Sequence, residues 1–296
     1  MVDQANEEQS VANVIFVCER IENNNNADFK KIAQSITPDD ISPQVDAEKV
    51  GRNTLIMING GPYARIKGAS VSLGTLLEPG NENWHEIGDE TPDGAFAIIR
   101  SNDQTVQLVT DTLGQRTLWY VLTENFFIAS TSQRAILLYL GGFELNEAVI
   151  PWMLATGTLG PLQSWDKRIN MVPANSIATL NQQSWDISVA TEPLPYAIGE
   201  ETDEQLSQRY KTILADNFKR LDLDCDTAAI TLSGGYDSRA ILMTLRNRTG
   251  LRSISIAPAS NSPLSTRSIV SKLADHFDVP SIGQINGLLR VGFLTD

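Results

Sequence analysis

The chain has 296 residues, a hydrophobic fraction of 42% and a formal net charge of −13 at pH 7. This length allows two domains, and the negative charge argues against nonspecific binding to nucleic acid, whose phosphates need a basic surface. With two cysteines and two histidines, the sequence has no disulfide framework and argues against a Cys- or His-rich metal site. No apolar stretch approaches ~20 residues and no signal peptide is recognisable, so we expect a soluble, cytoplasmic protein that does not bind membranes.

The first half of the chain is predicted to consist mainly of short strands joined by polar turns. Residues 1–10 are polar and acidic, and we expect them to be disordered. A capped amphipathic segment at 28–35 predicts a short helix. Apolar runs bounded by turn residues predict strands at 11–18, 54–59, 71–77, 94–100, 106–110, 117–122 and 126–130.

The pattern changes in the second half, where helical periodicity appears. A linker is predicted at 192–195, because a residue that precedes proline is pushed into an extended conformation. The predicted elements are helices at 132–139 and 146–155, a hairpin over 177–187, a long helix at 202–221, a strand at 228–232, a helix beginning near 239, a strand at 252–257 and a helix at 265–277.

The most informative motif lies between the strand at 228–232 and the helix that follows it. It has the sequence SGGYDS and occupies residues 233–238. A tight glycine turn from a strand into a helix exposes backbone N–H groups, adds the positive end of the helix dipole and lets a phosphate approach closely. The spacing differs from that of a Walker A loop, and no lysine follows. The sequence therefore predicts an anion site at this turn.

The motif is similar to the pyrophosphate loop of the PP-loop ATP pyrophosphatases, and other segments extend the resemblance to the asparagine synthetase B family. Members of that family join an N-terminal nucleophile (Ntn) amidotransferase domain to a PP-loop synthetase domain. The resemblance covers roughly residues 50–290. Besides the loop, it is carried by GAFAII at 94–99, TDTLGQRTLWY at 110–120, FIAST at 127–131, ATGTL at 155–159 and INMVPA at 169–174.

The resemblance implies a fold, a reaction and its small-molecule requirements. The implied fold is an α+β, Ntn-hydrolase-like sandwich at residues 1–190, followed at 191–296 by an incomplete α/β PP-loop domain of the adenine nucleotide alpha hydrolase-like type. The implied reaction is ATP-dependent amide formation, with Mg²⁺ as the metal. A substrate carboxylate attacks the α-phosphate, pyrophosphate leaves, and ammonia or an amine displaces AMP from the acyl-adenylate. No catalytic residue is assigned.

The same resemblance implies a site for ATP and pyrophosphate around the loop. Gly234 and Gly235 would let backbone amides approach the pyrophosphate. Asp237 would repel a phosphate unless a cation lay between them, so it is expected to bind Mg²⁺; the alternative is a plain helix N-cap. The other expected members are Ser233 and Ser238 through their hydroxyls, Leu232 through its backbone against the adenine, and Ile256 at the boundary of the nucleotide pocket.

Two departures from the family pattern bear on the expected activity. The family's nucleophilic cysteine follows the initiator methionine, whereas Val2 stands here, and Cys18 lies in an apolar run typical of a small buried side chain. Glutamine hydrolysis is therefore not expected, as in the related β-lactam synthetases and lasso-peptide cyclases. The chain also ends before the family's distal acidic motif and lysine, and its apolar segment at 287–294 is expected to need a neighbour.

These departures leave two functions open. The first is an amide-forming ligase that acts alone or needs a partner chain or a second copy to complete the synthetase domain. The second is a truncated, noncatalytic nucleotide-binding or interaction protein. The carboxylate substrate and the nitrogen donor are not identified by the sequence.

Several other polar and aromatic residues have ordinary structural interpretations. Arg239 stands where the family commonly has a small hydroxyl residue; a contact with phosphate or substrate is possible, and a pair with a surface acid is favoured. Asp111 and Arg116 are expected to form a pair that defines the fold. The remaining expectations are core positions for Trp119 and Tyr120, and no catalytic role for His85 and His276.

Overall fold

The computed structural model describes residues 12–21, 27–77, 82–194, 199–221, 223, 225, 229–256, 262 and 264–285. The chain divides into two compact units, Met1–Ala197 and Ile198–Asp296. The predicted disorder of 1–10 and the predicted need of 287–294 for a neighbour fall outside the described residues. So does the last residue of the predicted linker at 192–195.

The first unit contains two six-stranded antiparallel sheets and short helices. The first sheet has the order β10-β8-β9-β1-β3-β2, and the second has the order β12-β11-β7-β6-β5-β4. The strands are β1 (Asn13–Glu19), β2 (Val45–Val50), β3 (Asn53–Ile58), β4 (Ala64–Lys67), β5 (Ser70–Leu76), β6 (Gly94–Ser101), β7 (Thr105–Thr110), β8 (Trp119–Leu122), β9 (Phe126–Ser130), β10 (Asn170–Met171), β11 (Ser176–Asn181) and β12 (Asp186–Thr191). The helices are α1 (Phe29–Ile36), α2 (Gln133–Leu140) and α3 (Val149–Thr156).

The two sheets pack face to face, and helices cover the outer face of the first sheet. Because side chains alternate across a strand, β1 sends Phe16 into the layer between the sheets, where Leu73 and Leu108 of the second sheet meet it. Its neighbour Ile15 points the other way and packs with Ile136 of α2. The layered α+β architecture predicted for the first half of the chain is therefore confirmed.

The outer face of the second sheet is covered by an irregular segment rather than by a helix. Trp84 packs there on Phe96 and Ile98 of β6. Arg100, the next residue on that face, is fully buried. Its guanidinium donates hydrogen bonds to the carbonyl oxygens of Trp84, Asp89 and Glu90, at 2.7, 2.6 and 2.9 Å.

The described residues of the second unit form an α/β arrangement with three parallel strands. Its core includes Leu232, Leu242 and Val270, which pack between the sheet and the helices. The elements are α4 (Asp203–Arg220), β13 (Ala229–Thr231), α5 (Tyr236–Leu245), β14 (Arg252–Ile256), α6 (Thr266–His276) and β15 (Ser281–Ile285), with the strand order β13-β14-β15. Among the described residues, no helix combines the length and the hydropathy needed to cross a bilayer.

Candidate functional site

The glycine loop lies at the carboxyl edge of the parallel sheet, between β13 and α5. Thr231 pairs with Ile254 of β14, and the N–H of Leu232 donates to the carbonyl of Ile254 at 2.8 Å. Leu232 is 1% exposed and belongs to the core cluster of Leu242. The strand end is thus anchored by its side chain, and the chain turns directly from it into the loop at 233–238.

Two serine hydroxyls close this loop upon itself. Ser238 Oγ accepts a hydrogen bond from the Ser233 N–H at 3.1 Å, and it lies 3.0 Å from Ser233 Oγ. It also lies 3.1 Å from the carbonyl oxygen of Ser233. The hydroxyls therefore brace the turn, and donation from either one to a phosphate would require at least one of these bonds to rearrange.

Neither glycine of the loop has an unusual backbone angle, and the space around the two differs. Gly235 is the N-cap of α5 with φ −75°, which any residue can adopt. A Cβ on Gly235 would lie 3.2 Å from Ser233 Oγ, and one on Gly234 would lie 3.6 Å from Ile269 Cδ1 and 4.0 Å from Thr266 Cα. The first turn of α6 therefore packs against the loop, which leaves little room for a longer side chain there.

Asp237 is exposed and lies in the first turn of α5. The interpretation of Asp237 as a helix N-cap is wrong, because Gly235 occupies that position. By helix geometry the first N–H groups of α5 have no partner within the helix, and they carry the positive end of its dipole. Among the described residues, no group of three or more acidic, histidine or cysteine side chains could hold a metal ion.

Arg239 does not pair with a surface acid, which corrects the favoured interpretation of this residue. Its Nε donates to the carbonyl oxygen of Gly235 at 3.1 Å, and its Cζ lies 4.6 Å from the ring centroid of Tyr236. Tyr236 is 85% exposed. Within the described part of the chain, no carboxylate lies within ion-pair distance of Arg239. A local carbonyl and an aromatic face therefore satisfy the side chain.

Ile256 is the last residue of β14 and lies at the same edge of the sheet as the loop. Its backbone pairs in register with Ile285 of β15. The structure thus brings the ends of β13 and β14 to the same edge of the sheet.

The larger described cavity of the second unit lies elsewhere. It has a volume of about 510 Å³ and is lined by the segment from Arg246 to Arg252 and by Asp278, Val279 and Pro280. A smaller cavity of about 170 Å³ adjoins it beside α6. Both lie where α5 and α6 end and β14 and β15 begin, which is the edge opposite the loop. We call the larger one the amino-edge cavity. The sequence contains an indication of this cavity, because three arginines occur within seven residues there.

Comparison with known proteins adds two weak structural similarities. No family model matches the chain, and no curated protein matches it. The chain is similar to glutamine phosphoribosylpyrophosphate amidotransferase from B. subtilis complexed with ADP and GMP, with 9% identity and a TM-score of 0.31 over 91% of this chain and 58% of that one. A structure of the allosteric regulatory enzyme of purine biosynthesis matches with 10% identity and a TM-score of 0.31 over 96% of this chain and 62% of that one. At these TM-scores the similarity supports no conclusion about fold or activity.

Cys18 is a buried structural residue, as its apolar surroundings predicted. It is fully buried in β1. Burial raises the pKa of its thiol to about 12, although the charge of Arg52 acts in the opposite direction. A thiol with so high a pKa is not a nucleophile near neutral pH.

The predicted pair of Asp111 and Arg116 takes a different form. The carboxylate of Asp111 is buried and accepts hydrogen bonds from backbone N–H groups, including those of Phe96 at 3.2 Å, Leu113 at 3.0 Å and Gln115 at 3.1 Å. Arg116 contributes its backbone N–H at 3.4 Å and not its guanidinium. Asp111 therefore shapes the turn after β7, and its contact with Arg116 is made through the backbone N–H of Arg116.

Four further residues that the sequence singled out have described surroundings. Trp119 and Tyr120 are buried, which confirms the prediction, and burial raises the pKa of Tyr120. His85 is held by its Nδ1, 3.1 Å from the carbonyl oxygen of Glu82. His276 ends α6 with its ring against Phe277.

Proposed function

We propose that residues 233–238 bind the pyrophosphate portion of ATP and that the chain is an ATP-dependent, amide-forming ligase of the asparagine synthetase type. One observation carries the proposal. A glycine loop connects the carboxyl end of a parallel strand to the N-terminus of α5, with the first turn of α6 packed against it. Ligands of open α/β sheets bind at that edge.

The residues of the loop fit a phosphate and a magnesium ion. The N–H groups of the first turn of α5 and the helix dipole favour an anion. Mg²⁺ usually keeps several waters and takes one or two carboxylates together with substrate phosphates. Asp237 alone satisfies that requirement because it is exposed beside those N–H groups. ATP would supply the leaving group, while Leu232 and Ile256 would bound the nucleotide with their backbones.

The first unit would serve as an Ntn-like amidotransferase-type domain. Its two stacked antiparallel sheets with helices on one outer face support this assignment. The burial and the raised pKa of Cys18 exclude that thiol as a glutaminase nucleophile. The nitrogen would therefore come from free ammonia or from an amine of the substrate, and the other substrate would be a small carboxylate.

The test is ATP–pyrophosphate exchange with a panel of small carboxylates. Asp237→Asn keeps the size of the side chain and removes its charge. We expect it to reduce exchange by about 100-fold, which is typical when a group that stabilises developing charge is lost. Asp216→Asn is the matched control, because Asp216 is an exposed aspartate on α4. Wild-type exchange rates in Asp237→Asn would contradict the assignment.

A second candidate is a noncatalytic nucleotide-binding protein. The observation that favours it is the isolation of Asp237, which joins no group of acidic side chains among the residues that the structure describes. Calorimetry with MgATP separates the two candidates. Saturable binding without exchange for any carboxylate would support the noncatalytic protein, and exchange would support the ligase.

A further inference from the structure

We propose that the amino-edge cavity binds a small phosphorylated molecule with an apolar or aromatic body. Three arginines, Arg246, Arg248 and Arg252, are among the residues that line the cavity, and Asp278 is the one acidic residue among them. The ligand would occupy the edge opposite the glycine loop, so the site is distinct from the proposed ATP site.

The charge of this cavity contrasts with that of the chain. The chain carries a net charge of −13, yet the lining has more arginines than acids. Among the described residues, no carboxylate lies within ion-pair distance of Arg246 or Arg248. Arginine stays protonated at all physiological pH values. A cavity lined by such groups concentrates field lines and attracts anions.

Arg246 and Arg248 also cap helix ends, and this role is compatible with ligand binding. The guanidinium of Arg246 donates to the carbonyl oxygen of Met243 in the last turn of α5. Arg248 Nη2 donates to the carbonyl oxygen of Phe218 at 2.8 Å, near the end of α4. These bonds offset the negative helix ends. Arg248 Nη1 also donates to the carbonyl oxygen of Leu223 at 3.5 Å. A guanidinium has five N–H groups, so these bonds do not use all of its donors, and they hold the groups in place.

The volume and the walls of the cavity define the ligand class. About 510 Å³ is far more than one phosphate needs, and it lies within the range of roughly 300–1,000 Å³ that is typical of small-molecule sites. Leu251, Val279 and Pro280 supply apolar wall. Guanidinium groups bind phosphate oxygens through two parallel hydrogen bonds. A phosphate monoester with an apolar body matches both the arginines and the apolar residues of the lining.

The first experiment maps binding on the full wild-type chain with two probes, inorganic phosphate and phenyl phosphate. Amide chemical shifts are followed by NMR during each titration. We expect saturable shifts at Gly250, Leu251 and Val279, with tighter binding of phenyl phosphate because its ring adds apolar contact. Shifts confined to residues 233–238, or no saturable shift with either probe, would overturn the proposal.

The second experiment uses variants and their calorimetric affinity for phenyl phosphate. The double variant Arg246→Gln and Arg252→Gln should weaken binding at least about tenfold, which corresponds to about 1.4 kcal/mol. Arg239→Gln at the opposite edge is the control and should leave the affinity unchanged. Equal affinity in the double variant, or a loss only in Arg239→Gln, would overturn the proposal. If the double variant does not fold, the wild-type map decides. Failure of the proposed ATP site would show as absent exchange and would leave these results unaffected.

Discussion

Among the described carboxylates, Asp166 has the pKa that departs most from its ordinary value. Asp166 lies in the segment between α3 and β10. Its side chain is fully buried. Burial alone would raise the pKa of Asp166, but hydrogen bonds from the Arg168 side chain and from the backbone N–H groups of Glu144 and Arg168 outweigh it and hold the pKa at about 2. The two Arg168 contacts are 2.9 and 2.7 Å long. The ionised carboxylate of Asp166 therefore holds the segment around Glu144 against the segment around Arg168.

This arrangement predicts a pH-dependent contribution to stability. The pKa of Asp166 is lower in the folded chain than its ordinary value of 3.8. Its stabilisation is thus fully present above about pH 5 and is lost as the pH falls through 3.8 towards 2. We expect Asp166→Asn to lower the free energy of unfolding by about 2 kcal/mol at pH 7, with a smaller difference from wild type at pH 2.5. Urea titrations at pH 7 and pH 2.5 measure this difference in the free energy of unfolding.

The control for this prediction is Asp103→Asn, because Asp103 is exposed in the turn between β6 and β7. It should change the stability by less than about 0.5 kcal/mol at either pH. A constant difference between Asp166→Asn and wild type from pH 7 to pH 2.5 would show that ionisation of Asp166 does not contribute.

At the scale of elements, the second sheet depends on an arginine to hold its outer covering. Arg100 binds three carbonyl oxygens of the segment 84–90. Burial lowers the pKa of its guanidinium, and the charge of nearby Asp89 opposes this shift. The cation is therefore balanced by carbonyl dipoles and a neighbouring carboxylate, and not by a direct ion pair within the described residues.

Removal of this arginine should release the segment from the sheet. Arg100→Met keeps the apolar stem but leaves three carbonyl oxygens without their donor. We expect the free energy of unfolding to fall by about 3 kcal/mol, with faster hydrogen exchange in residues 84–90. Arg65→Met is the matched control, because Arg65 is exposed on β4. Unchanged exchange in Arg100→Met would show that Trp84 alone holds the segment.

The elements that the sequence predicted are those with a strong local pattern. The apolar runs that became β1, β3 and β6 are visible because their strands are central and buried. The apolar pattern does not predict β2, whose residues after Val45 are exposed, or β4, because both are edge strands with polar side chains. Such strands form through backbone hydrogen bonds with a neighbouring strand, and hydrophobic periodicity does not predict these bonds.

At the scale of the whole molecule, the two units should unfold separately. All five tryptophans lie in the first unit, three of them buried in its layers. The long helix α4 of the second unit has no fully buried residue. In urea we expect tryptophan fluorescence to report a transition at higher concentration than circular dichroism at 222 nm, to which the helices of the second unit contribute strongly.

A ligand gives this prediction a second measurement. A ligand of the second unit stabilises only the state that binds it, so MgATP or phenyl phosphate should move the circular dichroism transition and leave the fluorescence transition in place. Coincident transitions, shifted together by either ligand, would show that the chain unfolds as one cooperative body.

The sequence by itself determined the glycine loop between a strand and a helix, the burial of Cys18 and the central strands of the first unit, because each depends on spacing or apolar pattern along neighbouring residues. The tertiary structure decided what distant residues do together. It placed the donors of Asp111 and the carbonyl partners of Arg100, and it brought Arg246, Arg252 and Asp278 around one cavity. The contacts of Asp111 with Phe96 and of Arg100 with Trp84 join different segments of the chain, and their free energy depends on burial and geometry that no local pattern encodes.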